Sequence, residues 1–226
     1  MHDHQSYRGP RPDLLAQVQR ASAVLDVGCN NGAVARALKA RHPEVRAWGI
    51  EINEVALAQA KPDLVEGWAA DLDAVDLDAL LGELTFDHII AGDVLEHTVH
   101  YQRITSALFR HLAPGGRLII CVPNYGHWHT LWVLITQKWQ RNERGIFDKT
   151  HRSIFMRRNL SEFAGQCPGS RWRLAKRNFR FFETNRWWKL NMLVTYGLFP
   201  LLLIPYVRDF VTLSYVITID KPGSAP

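Results

Sequence analysis

The chain has 226 residues, 47% of them hydrophobic and 22% charged, with a formal net charge of +5. That length and apolar content suit one large folded domain and exclude disorder as the default state. Three cysteines, Cys29, Cys121 and Cys167, lie far apart without paired spacing, which excludes a disulfide framework or zinc site and points to a reducing cytoplasm. Residues 1 to 15 are polar and lack an apolar core, so no cleaved signal peptide is expected.

The charge is unevenly spread. Residues 1 to 123 hold 11 Lys/Arg against 16 Asp/Glu, whereas residues 124 to 226 hold 16 against 6 and six of the eight tryptophans. A basic, aromatic-rich half fits an anionic or amphipathic partner, or a solvated basic face over an ordinary core.

In chain order, a first helix is expected over Pro12 to Arg20. Strand-like apolar runs follow at Ala23 to Val27, Val45 to Ile50, Leu64 to Trp68, Phe86 to Ala91 and Arg117 to Val122. Between them lie helical stretches at Ala33 to Arg41, Glu54 to Ala60, Leu77 to Leu81 and His100 to Leu112, the last stopped by Ala113-Pro114-Gly115-Gly116. Strands alternating with helices predict βαβ units and a parallel sheet. Past Val122 the alternation breaks. Pro123 to Lys149 reads as an insertion carrying a helix over His129 to Gln140, followed by a helix over Arg157 to Gln166. Two closing strands are expected at Arg171 to Phe182 and Phe210 to Ile219, the latter with Val211, Leu213, Tyr215, Ile217 and Ile219 on one side. Between them, residues 190–207 carry no charge, but Pro200 and Pro205 interrupt a run short of the roughly 20 residues of a membrane span. With Trp187 and Trp188, this segment is a candidate interfacial anchor, buried helix or homodimer face.

The stretch Val24-Leu25-Asp26-Val27-Gly28-Cys29-Asn30-Asn31-Gly32 has the parts needed to end a buried strand and begin a helix over a nucleotide-type ligand. It is not the G-x-G-x-x-G of dinucleotide folds. It resembles the first motif, (D/E)-x-G-x-G-x-G, of the class I S-adenosylmethionine-dependent methyltransferases. Asn30 replaces the middle glycine, and Asn accepts left-handed backbone angles better than most residues. Glu51 ends the second strand 25 positions after Asp26, where a carboxylate can accept from both ribose hydroxyls. Ala70-Asp71-Leu72 resembles the family's adenine-facing segment, Phe86 to His97 its fourth strand with Asp93 at the end, and Leu112 to Leu118 its approach to the fifth.

The resemblance implies a Rossmann-like, seven-stranded, mostly parallel sheet with helices on both faces, in one methyltransferase domain over residues 1–226. Residues 1–123 would bind S-adenosylmethionine through Asp26, Gly28, Asn30, Gly32, Glu51, Asp71, Leu72 and Asp93. Residues 124–226 would supply the acceptor side.

Val94-Leu95-Glu96-His97 recurs in small-molecule O-methyltransferases, including those of ubiquinone biosynthesis. Cys121 to Trp128 resembles the methionine-biosynthesis protein W family, and Gly145 to Phe155 the D-x-T-H-x-R-x-F region of bacterial methyltransferases of glycan pathways, with Arg152 directly after the histidine. His97 and His151 are the candidate general bases toward a hydroxyl, because imidazole exchanges protons near neutral pH. Asp148 is a candidate to orient His151 or bind a sugar hydroxyl, and Tyr125 and Trp128 to wall the acceptor site. His127 and His129 lack a third ligand, so no metal is expected. The implied acceptor is small or lipid-linked. Two alternatives are a regulatory cofactor-binding partner of a biosynthetic enzyme and an RNA methyltransferase. Against nucleic acid, Val122-Pro123-Asn124-Tyr125 stands where an N/D-P-P-Y/F tetrad would methylate a base amino group.

Overall fold

The computed structural model describes residues 9–19, 22–139, 141–143, 145–180, 188–197 and 204–223. Seven strands form one sheet: β1 (Ala23–Val27), β2 (Arg46–Glu51), β3 (Glu66–Ala69), β4 (Phe86–Gly92), β5 (Leu112–Pro123), β6 (Arg171–Phe179) and β7 (Thr212–Asp220). Their order is β3-β2-β1-β4-β5-β7-β6. The first five are parallel and β7 runs antiparallel to both neighbours, which is the expected Rossmann-like architecture.

Unbroken apolar runs suit strands covered on both faces. Alternation survives within them and sorts residues to opposite sides of the sheet. Leu25, Val27, Ile89, Ala91, Leu118, Ile120, Val122, Tyr215, Ile217 and Ile219 pack into one core. Val24, Ile90, Ile119, Cys121 and Val216 pack into the other. The period expected in the last strand thus holds from Tyr215 to Ile219, but Leu213 packs against a third cluster and Val211 precedes the strand.

The connecting helices are α1 (Pro12–Leu15), α2 (Ala33–Arg41), α3 (Glu54–Ala60), α4 (Leu77–Leu81) and α5 (Tyr101–Arg110). Asn53 caps α3 and Asp76 caps α4, each accepting two backbone N–H groups that the first turn leaves unpaired. The Ala113 to Gly116 stretch is not a simple helix stop. It is an irregular start to β5, where pairing with β4 jumps from Phe86–Leu112 to His88–Arg117 and Gly115 takes φ +78°.

In the second half, α6 (Trp128–Thr136) and α7 (Leu160–Gly165) occupy the expected helical stretches but are shorter. The uncharged segment contributes α8 (Trp188–Gly197) and α9 (Pro205–Phe210), with Pro205 at the first turn where a missing N–H costs nothing. No helix among the described residues is long and apolar enough to cross a membrane. Trp187 and residues 198–203 lie outside the described residues.

Because β7 is the only antiparallel strand among the described residues and is buried on both faces, truncating it should be costly. Ile217→Ala is expected to lower unfolding free energy by about 2–5 kcal/mol in urea titrations, while the exposed Val65→Ala should change it by less than about 1 kcal/mol.

Candidate active site

The parallel strands end on one edge, and β1 sits where the strand order reverses between β2 and β4. In open α/β sheets that is where ligands bind. A cavity of about 350 Å³ lies there, lined by residues that directly follow β1 (Gly28, Asn30), β2 (Ile52), β3 (Ala70, Asp71, Leu72) and β4 (Asp93, Val94). Its volume lies within the range of small-molecule sites, about 300–1,000 Å³.

The turn after β1 is built from three left-handed residues: Gly28 (φ +77°), Asn30 (φ +46°) and Gly32 (φ +76°). A side chain at Gly28 would also stand 3.1 Å from Val94 Cγ2, so glycine is required there twice over. Gly28 and Cys29 donate their N–H groups to the Ile50 carbonyl at 2.8 and 3.1 Å, pinning the turn to β2. Glu51 accepts from Asn30 N at 2.9 Å and from Asn53 N at 2.8 Å, and Glu51 lines the cavity. Each oxygen keeps capacity for a further donor, as recognition of paired hydroxyls requires.

Asp26 lies beneath this turn and does not line the cavity. Burial, with the nearby Glu51 charge adding, pushes its carboxyl up to about 7. Asp93 takes φ +53° and lines the cavity, with Arg11 Nη1 donating to its Oδ2. Arg11 also donates to Asp13 at 2.9 Å. Burial alone would lower the pKa of Arg11, but Asp93 foremost among its acidic partners outweighs that and raises it. Sequence reasoning missed Arg11, because its partner at the cavity, Asp93, lies in a distant segment.

His97 belongs to a 3-10 turn, Leu95–His97, and lines the cavity. Its Nδ1 lies 2.9 Å from Thr150 Oγ1. Thr150 Oγ1 in turn donates to Asp148 Oδ1 at 2.5 Å, and Thr150 N donates to the same oxygen at 2.8 Å. A hydroxyl has one proton. With that proton directed to Asp148, Thr150 accepts from His97 Nδ1–H, and in the neutral ring this places the lone pair on Nε2. The Asp148 carboxylate thus reaches His97 through Thr150, while the Asp148 carbonyl accepts from His151 N at 3.1 Å. The segment is held by backbone bonds from Arg152 and Ser153 N to the Glu96 carbonyl, at 2.8 and 3.0 Å. Thr150 and Arg152 both line the cavity and were missed, although the D-x-T-H stretch contains the threonine.

His151 stacks edge-on against His97 with ring centroids 4.9 Å apart, but its Nδ1 is engaged by Tyr125 Oη at 3.0 Å and the Ile146 carbonyl at 3.1 Å. Burial, then the neighbouring His97, lowers its pKa. Tyr125 is buried with Val133, Ile146 and Phe147, and Trp128 packs against His127 and His129; neither lines the cavity. His127 is consumed by the fold: its Nδ1 accepts from His129 N, and its Nε2 faces the Arg180 carbonyl at 2.8 Å. Burial pushes it down to about 4. A different set, Glu96, His97 and His151, brings one potential metal-ligand atom each within 4.8 Å of the others. Glu96 is buried, its Oε2 has no hydrogen-bond partner among the described residues, and burial followed by Asp93 raises its pKa.

A methyltransferase-domain family model matches residues 2–166. The chain belongs to this methyltransferase-domain family. Trans-aconitate 2-methyltransferase of Methylobacterium nodulans is 33% identical over 117 residues, covering 51% of this chain and 44% of that protein. Ubiquinone biosynthesis O-methyltransferase of Pseudomonas fluorescens is 32% identical over 104 residues, 45% of this chain and 44% of the relative. The chain thus spans less than half the length of these curated relatives. A SAM-dependent methyltransferase from Archaeoglobus fulgidus shares the fold with a TM-score of 0.60 at 15% identity, over 92% of this chain and 89% of that one.

The methyltransferase domain should carry a pH signature from Asp26. Its value in the fold, about 7, lies above its ordinary 3.8, so the folded state holds the proton more tightly than the unfolded chain. Stability contributed by this group is complete below about pH 4 and falls as pH rises to about 7. Asp26→Asn is therefore expected to gain on the native chain across that window, by on the order of 4 kcal/mol. Urea unfolding from pH 4 to 8 checks this, and parallel curves would contradict it.

Proposed function

We propose that this domain transfers a methyl group from S-adenosylmethionine to a hydroxyl of a small or lipid-linked acceptor, such as a glycan, quinone or other metabolite, with His97 as general base. The observation that carries the reading is the Asp148–Thr150–His97 chain ending at the cavity that Glu51 and the left-handed turn also line. Family membership and the relatives named as O-methyltransferase and SAM-dependent methyltransferase support the reaction class. The first 123 residues hold the cofactor and the rest complete the acceptor side of one domain.

The cavity fits the cofactor: Glu51 would accept from the ribose hydroxyls, Asp71 and the Leu72 backbone would face the adenine, and Asp93, held by Arg11, would close the other end. When bound, the cofactor supplies an electrophilic methyl on a sulfonium. His97 Nε2 would take the proton of the acceptor's hydroxyl as the methyl group is transferred to that oxygen. Thr150 Oγ1 and the Asp148 carboxylate then steady the imidazolium, as a carboxylate does for the histidine of hydrolytic triads. His151 packs beside that ring and keeps it from turning.

A second reading is favoured by Arg152 at the cavity and by relatives named for trans-aconitate, a carboxylic acid. A carboxylate acceptor is already deprotonated at neutral pH and needs no base. A product scan with labelled methyl groups, followed by kinetics of the variants, separates the two. For a hydroxyl acceptor, His97→Ala is expected to lower kcat by about 10²–10⁴. Thr150→Val should lower kcat by about tenfold with little change in KM, and Thr150→Ser should restore it. For a carboxylate, His97→Ala should leave kcat within about threefold, while Arg152→Ala raises KM. Absence of labelled product with every acceptor class would reject both readings.

A further inference from the structure

Helix α6 is apolar around most of its circumference, yet one stripe alone is covered. Thr130 and Val133 are buried, with Val133 packed against Tyr125, Ile146 and Phe147. On the other side Leu131, Trp132 (56% exposed), Leu134 and Ile135 (67% exposed) face outward, followed by exposed Trp139. A helix apolar all round is normally buried, and among the described residues this face is left uncovered. Further exposed apolar residues lie at α9. Asn124, four residues before α6, donates through Nδ2 to the Asp209 and Thr212 carbonyls at 2.7 and 2.8 Å, tying the base of α6 to α9. There Tyr206 is 75% exposed, and Ile204 and Phe210 are exposed as well.

The charge around this face identifies its partner. No acidic residue occurs from Asn124 to Asn142, and the acidic groups nearest to the face, Glu143 and Asp209 of α9, pair with Lys149 and Arg177. Exposed Lys138 and Arg141 stand in that stretch, and Lys189 in α8 is exposed as well. Exposed tryptophan and tyrosine beside lysine and arginine form the composition that settles at the headgroup level of a bilayer. A second copy of the chain is a poorer fit. A two-fold contact would bring the same patch together and set Lys138 and Arg141 against their own equivalents.

We propose that α6, together with the exposed residues at α9, is a docking face for an anionic lipid bilayer. The residues of α6 lie outside the uncharged segment singled out in the sequence, whereas Ile204 and Tyr206 belong to it, and none of them lines the cofactor cavity. Both the face and the acceptor side grow from the insertion after β5, since Tyr125 packs beneath α6 and contacts His151. Docking would therefore present the acceptor side of the cavity to the membrane surface. If the methyl-transfer reading fails, the docking face stands or falls separately.

Flotation of the full chain with vesicles of equal parts phosphatidylglycerol and phosphatidylcholine, and with phosphatidylcholine alone, tests this. Binding is expected to the anionic vesicles and to weaken with salt. The double variant Trp132→Ser/Ile135→Ser should bind at least about tenfold more weakly, and Lys138→Glu about fivefold. Both variants should retain the circular-dichroism melting curve and S-adenosylmethionine affinity of the native chain. Indifference to anionic vesicles would overturn the proposal. So would equal binding by the double variant, or a dimer in sedimentation that the double variant dissociates.

Discussion

The carboxylate of Glu51 joins two loops that the sheet alone leaves independent. Oε2 accepts from the turn after β1 and Oε1 from Asn53, the residue that caps α3. A carboxylate accepting backbone N–H bonds holds them roughly twice as firmly as a neutral acceptor. Glu51 therefore adds to the backbone bonds from Gly28 and Cys29 to the Ile50 carbonyl in holding the left-handed turn, and ties that turn to the start of α3 and to one wall of the cavity. The cost appears at Asp26, which is buried nearby and is pushed toward its protonated form. Two adjacent acidic groups are tolerated because burial favours a proton on the lower one and leaves the upper one as the acceptor.

Much of this half could be read in the sequence. Apolar runs and helical periods located β1, β2, β4 and helices α2 to α5 to within a few residues, because local pattern and burial agree there, whereas α1 ends at Leu15 rather than at the expected Arg20. Asn30 was readable in the same way: a residue that tolerates positive φ stands where the turn demands it. The irregular start of β5 was not, since a Pro-Gly-Gly stretch stops a helix and bulges a strand equally well.

The acceptor side was less legible for a physical reason. Its chemistry is assembled by contacts between distant segments: Thr150 with His97, Arg152 with the Glu96 carbonyl and Asp73, Arg11 with Asp93. Periodicity reports which face of an element is apolar, not which loop lies across it. His97 and Asp148 could be singled out by residue type, but their connection passes through a threonine whose role only three-dimensional proximity reveals. Tyr125 and Trp128 show the converse, being aromatics near the site that serve the packing of the insertion.

The insertion after β5 links these themes. It supplies Asp148, which holds Thr150 at the cavity, and the exposed apolar face of α6. The cofactor half, held by Glu51, is the fixed part against which that segment folds. Calorimetric titration of S-adenosylmethionine into the native chain and into Glu51→Ala tests this account most directly. It predicts a single saturable site in the native chain and at least a tenfold loss of affinity in a variant that stays folded. No binding to the native chain, or equal affinity in the variant, would contradict it.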